Sequence, residues 1–164
     1  MKNEPIILPD GTKFYRNRGI GTVLVPFCLY NGVWYTLANK RGKRTSECKL
    51  KWNSPSGYLD WDESGEECAA RETREECGLD IPVEWIVEAE HSTSPKENRQ
   101  NIIFRYYAIV PDFWINKSLS YKDSEEDEVR EIKWIPISEI DNYDFAWNQA
   151  ETIKRIFNNY INNK

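Results

Sequence analysis

Two β-rich apolar runs lie early in the chain. Gly21-Thr-Val-Leu-Val-Pro-Phe-Cys-Leu-Tyr30 and Val33-Trp-Tyr-Thr-Leu-Ala38 flank the turn dipeptide Asn31-Gly32, a pattern that predicts a β-hairpin. From Asn39 to Lys51 the chain turns polar and basic, with Arg41, Lys43, Arg44, Lys49 and Lys51, and no periodicity supports a regular element there. Ser64-Gly-Glu-Glu67 has the spacing of a capping box and Gly78 that of a stop, which predicts a helix over 64–77. Further strands are expected over 83–89, 102–110 and 131–135. Phe145 to Ile161 places Ala146, Ala150, Ile153, Phe157 and Ile161 at helical spacing. Strands, helix, strands, helix, with antiparallel hairpins among them, predict an α/β fold in which a mixed sheet lies between helices.

At 164 residues the chain is long enough for one domain with its own core, and no repeat or linker divides it. Residues 1–19 read as an N-terminal extension, expected to lie on their own subunit or over a partner's cleft in a homodimer. A net charge of −5 argues against an extended nucleic-acid surface. No apolar run approaches the ~20 residues of a membrane span, and the N-terminus lacks a secretory pattern, so a cytoplasmic protein is expected. Cys28, Cys48, Cys68 and Cys77 form no Cys-x-x-Cys pair, and His91 is the sole histidine. Free thiols are therefore expected, no structural zinc, and an ordinary loop histidine.

The predicted helix is dense in acid. Glu72, Glu75 and Glu76 share one face within about a turn, where like charges repel. A bound divalent cation would reverse that repulsion, since hard Mg²⁺ prefers carboxylate oxygen. A solvated acidic face is the plainer alternative. Glu72 and Glu76 flank the apolar stripe of Ala69, Ala70, Thr73 and Cys77 rather than lying opposite it, which favours a site.

The full spacing is Gly57, five residues, Glu63, seven residues, Arg71-Glu72, then Glu75-Glu76, Gly78 and Leu79. This resembles the Nudix box at all seven fixed positions, departing only at Thr73, where a larger aliphatic residue is usual. With 18 Glu, 10 Arg and 8 Gly in the chain, chance would produce the match with a probability on the order of a few in a million. The hairpin, Arg41, Trp52, Pro55-Ser-Gly57 and the segment Glu131 to Pro136 are also similar to that family in order and kind. The resemblance covers about residues 20–160, most closely the box at 57–79.

The resemblance implies an α/β/α sandwich and a pyrophosphohydrolase, using Mg²⁺ or Mn²⁺ on a nucleoside diphosphate linked to another moiety. It further implies that the Gly57 carbonyl, Glu72, Glu75 and Glu76 hold metal, that Glu72 or Glu76 handles the attacking water, and that Glu63 and Arg71 pair to orient the helix. Glu128 is the expected extra carboxylate from the acidic stretch 125–131. Arg41, Arg44, Trp52, Tyr58, Arg99 and Phe104 are candidate substrate contacts, by charge or by stacking. ADP-ribose or dinucleotide-type substrates are preferred. A non-catalytic nucleotide-sensing or partner-binding module, or action on the 5′ end of RNA, stand as alternatives.

Overall fold

The computed structural model describes residues 5–15, 18–94, 101–124 and 126–162. Nine strands occur among them: β1 (Pro5–Ile7), β2 (Lys13–Tyr15), β3 (Ile20–Tyr30), β4 (Val33–Arg41), β5 (Trp52–Asn53), β6 (Ser56–Tyr58), β7 (Val87–Ser92), β8 (Ile102–Val110) and β9 (Val129–Pro136). The helices are α1 (Gly65–Cys77) and α2 (Gln149–Ile156).

The predicted hairpin forms, with Tyr30 opposite Val33 and both turn residues in left-handed conformation, Asn31 at φ 48° and Gly32 at 77°. β3 then runs parallel to β8 from Ile20/Ile102 to Cys28/Val110, and β8 pairs antiparallel with β7. On the other side β4 pairs antiparallel with β9. Past Phe27 and Thr36, β3 and β4 part. The segment 52–58 fills the fork, β5 against β4 at Asn39/Asn53 and β6 against β3 at Thr22/Gly57. This fork places Gly57 and Ser56 in the middle of the sheet, directly beneath α1.

Alternation along the strands sends successive side chains to opposite faces. Leu24, Leu37, Tyr106 and Ala108 pack with Ala69 and Cys77 of α1, while Val25, Ala38, Tyr107 and Ile135 pack with Ile153 and Ile156 of α2. The sheet is thus covered on both faces, an α/β/α arrangement. The α1 capping box is complete: the Ser64 hydroxyl accepts from Glu67 N–H and the Glu67 carboxylate accepts from Ser64 N–H. Gly78 closes the helix, its N–H donating to the Arg74 carbonyl.

Two expected elements differ. Val83–Trp85 is a turn of 3₁₀-helix rather than strand, because Pro82 starts a turn in which Trp85 and Ile86 N–H groups bond back to Pro82 and Val83; the strand begins at Val87. The helix expected from Phe145 is broken by Trp147 and Asn148, both left-handed at φ 50° and 57°, so α2 starts at Gln149. The described part of the N-terminal extension forms a two-stranded sheet, β1 with β2, that leaves Ile6, Ile7 and Leu8 exposed. Among the described residues no helix is long and apolar enough to cross a membrane, and all four cysteines are free thiols.

Candidate active site

Beneath α1, the fork in the sheet brings Gly57 against Glu72 and Ser56 against Glu76. Glu76 is buried, 2% exposed, and its Oε2 accepts two hydrogen bonds, from Asn39 Nδ2 at 2.7 Å and from Ser56 N–H at 3.0 Å. A carboxyl so far from water resists ionisation. Burial pushes it well above the ordinary carboxylate range, the neighbouring Glu72 pushes further, and the Ser56 N–H opposes. Glu72 is also raised by burial, with Arg71 opposing.

Arg71 organises the other half. Its Nε and Nη2 grip the two oxygens of Glu63 at 3.0 and 2.7 Å, its Nη1 reaches Glu72 at 2.8 Å and Glu75 at 3.3 Å, and Nη2 also donates to the Tyr58 carbonyl. Glu63 Oε1 accepts in addition from Asp60 N–H at 2.8 Å, which ties the loop before α1 to the helix. The arginine thereby holds the loop to the helix and offsets the repulsion among the carboxylates.

Chiefly the bond from Arg71 draws the Glu63 pKa down from 4.5 to about 2. Since the folded value lies below the unfolded one, the stabilisation is complete above pH 4.5 and is lost as pH falls towards 2. Glu63→Gln should therefore cost roughly 2 kcal/mol at neutral pH, with the gap from wild type closing between those two values. Denaturant melts of the metal-free proteins at a series of pH values check this; a constant gap would contradict it.

As the side chains stand, no three acidic, histidine or cysteine groups converge on one point among the described residues, because Arg71 draws Glu72 and Glu75 one way while Asn39 and Ser56 draw Glu76 inward. The donor set still fits a hard divalent cation: carboxylate oxygens beside a backbone carbonyl. Gly57 makes the approach feasible, since a Cβ there would stand 1.9 Å from Glu72 Oε1.

Glu128 lies near enough for its charge to bear on Glu72, Glu76 and Arg41. It is carried there by the close approach of two loops: Gly42 N–H bonds the Glu128 carbonyl, and a Cβ on Gly42 would fall on the Asp127 carbonyl oxygen. Glu126, Asp127 and Glu131 pair instead with Arg44, Arg130 and Lys133.

The substrate-contact candidates separate. Arg41, beside Glu76 and Glu128, stacks its guanidinium 4.6 Å from the centroid of the Trp147 ring, and Trp147 Nε1–H donates to Glu47. Tyr58 is exposed, its hydroxyl accepting from Asn101 Nδ2. Phe104 lies half-buried against the α1-side core, with the His91 ring 5.6 Å away. Trp52 is buried in the α2-side core against Tyr143, facing away from α1, so the expected stacking role is corrected to packing. Arg44 sits exposed with Glu126, and Arg99 lies outside the described residues.

Asn39, Ser56 and Trp147 enter the site unannounced. Ser56 acts through a backbone N–H that any residue but proline supplies. Asn39 had one signal, a lone amide interrupting the apolar side of a strand.

Comparison with known proteins places the arrangement in context. The NUDIX domain family profile matches residues 25–156. The NUDIX domain of Shewanella oneidensis NrtR, solved with ADP ribose, superposes with a TM-score of 0.69 at 17% identity, over 90% of this chain and 89% of that one. A mutT/nudix family protein from Listeria innocua gives 0.62 at 28% identity, over 87% and 94%. A C. elegans Ap4A hydrolase gives 0.66 at 16% identity, over 89% and 99%.

Proposed function

This chain belongs to the Nudix family of pyrophosphohydrolases, and we propose that it hydrolyses a phosphoanhydride bond in a nucleoside diphosphate linked to another moiety, with ADP-ribose or dinucleotide-type compounds preferred. The observation that carries the reading is the close approach of Glu72 to a Cβ-free Gly57, with buried Glu76 held by the neighbouring Ser56 N–H and Arg71 binding both Glu72 and Glu63.

The Gly57 carbonyl, Glu72, Glu75 and Glu76 would hold Mg²⁺, with Mn²⁺ as a substitute. The ion supplies charge neutralisation on the pyrophosphate oxygens and a lowered pKa for water. Glu76 or Glu72 accepts the proton of the attacking water as its oxygen bonds to phosphorus. The anhydride P–O bond breaks with its electron pair leaving on the bridging oxygen. Arg41 faces this cluster and offers a guanidinium to a substrate phosphate, while Trp147 and Tyr58 offer rings at the margin. The preference among substrates is supported by the ADP ribose complex of the NrtR domain and by the Ap4A hydrolase. The four free thiols support a cytoplasmic setting.

The test is incubation with Mg²⁺ and ADP-ribose, NADH, dinucleoside polyphosphates, nucleotide sugars, (d)NTPs and 5′-triphosphorylated RNA, with products read by mass. We expect turnover of an ADP-ribose or dinucleotide-type member, stopped by chelation. Turnover of the RNA alone would replace the substrate class, and nucleotide binding without turnover of any member would make the domain a sensing module.

A further inference from the structure

The box motif accounts for Glu76 but not for what holds it. Its Oε2 is fully engaged by two neutral donors, Asn39 Nδ2 and Ser56 N–H, and no hydrogen bond within the protein is formed by the other oxygen among the described residues. The two donors share an origin. Asn39 of β4 stands directly opposite Asn53 of β5, and Asn53 Nδ2 donates to the Ser54 carbonyl at 2.8 Å and to Ser56 Oγ at 3.2 Å. Asn53 thus folds the turn that aims Ser56 N–H at Glu76, while Asn39 donates directly.

The polar side chains of this arrangement, two amides and a hydroxyl, lie where polarity is costly. Asn39, Asn53 and Ser54 are essentially inaccessible, and Asn53 Oδ1 and Ser54 Oγ find no partner in the protein. A turn that leaves two buried polar atoms unmatched is poorly explained by stability alone. The donors' neutrality has a chemical reason. A lysine or arginine at position 39 would cancel the Glu76 charge, and an aspartate would add a second buried anion. An asparagine fixes one oxygen and leaves the charge for a cation.

We propose that Asn39, supported by Asn53 from the adjacent strand, is a positioning residue that pins one oxygen of Glu76 and so presents the other to the metal required by the function proposed above. Second-sphere partners of metal-binding carboxylates typically carry a 10- to 100-fold share of metal affinity or activity.

Asn39→Leu removes the donor while keeping the branched shape of the side chain, at the cost of some added volume. Manganese titration followed by electron paramagnetic resonance, on the full chain without substrate, should show Mn²⁺ affinity roughly 10- to 100-fold weaker. With a substrate from the panel, kcat should fall over the same range, roughly 10- to 100-fold, while KM shifts less than about threefold. In a Glu76→Gln background Asn39→Leu should cost nothing further, because the residue acts through Glu76. Asn39→Ala, which removes the donor without adding a charge, should lose Mn²⁺ affinity likewise and serves if the leucine variant does not fold. Mn²⁺ affinity within about twofold of wild type in a folded variant, or an equal loss in the Glu76→Gln background, would overturn the proposal. A wild-type protein that binds Mn²⁺ and hydrolyses nothing would defeat the hydrolase reading while leaving the metal comparison legible.

Discussion

Glu76→Gln should remove roughly 10²- to 10⁴-fold of the turnover while raising the melting temperature of the metal-free protein at neutral pH. The two effects have one origin. Glu76 is 2% exposed, and its folded-state pKa is raised by that burial and by Glu72. A raised folded pKa means that the stability conferred by the neutral form is present at low pH and is lost as pH rises through the folded value. Glutamine stays neutral, keeps an oxygen for Asn39 and Ser56, and escapes that loss. A site tuned for a cation is expected to trade stability for function in this way. Activity assays with Mg²⁺ beside thermal melts in chelator check both halves; a variant that is inactive and less stable would show that Glu76 is structural.

Gly57→Ala is the second change with a large expected effect. The added methyl would meet the tip of the Glu72 side chain, Oε1 at 1.9 Å and Cδ at 2.1 Å, with no backbone atom among its nearest contacts. A flexible carboxylate can swing aside, so the folding cost should stay near about 1 kcal/mol. The proposed function would not accommodate the same movement, because it carries Glu72 away from Gly57, where the two are proposed to share a metal ion. Activity should fall by roughly 10²-fold or more, a separation of activity from stability that a packing role for Gly57 would not produce. A melt and an activity assay on the purified variant decide it, and activity retained within a few-fold would contradict the placement of Glu72.

Much of this architecture was legible from local pattern. Asn31-Gly32 between two apolar runs specified the hairpin, and Ser64 with Glu67 and Gly78 specified the ends of α1, because each depends on neighbours in sequence. The acidic face of α1 was also readable from helical spacing, and the pairing of Glu63 with Arg71 from the family resemblance. What escaped was set across the fold. Trp147 and Asn148 interrupt a good helical periodicity because Arg41, from β4, and Glu47, from the following loop, engage the Trp147 ring. Trp52 and Tyr58 look equally suited to stacking in sequence, yet the fork in the sheet turns Trp52 into the α2-side core and leaves Tyr58 at the surface. Asn39 lies 37 residues from Glu76 and meets it only because β4 and α1 are brought together at that fork. Nothing local to Asn39 distinguishes such a donor from a polar interruption.

Anomalous diffraction from crystals of the wild-type protein soaked in Mn²⁺ tests the central claim most directly, that the carboxylates of α1 and the Gly57 carbonyl form a divalent-metal site. The expected result is a manganese peak between α1 and β6, bonded at ~2.1 Å to oxygens of Glu72 and Glu76 and absent from crystals of Glu76→Gln. Manganese bound elsewhere on the chain, with Glu72 and Glu75 still held by Arg71, would contradict the account.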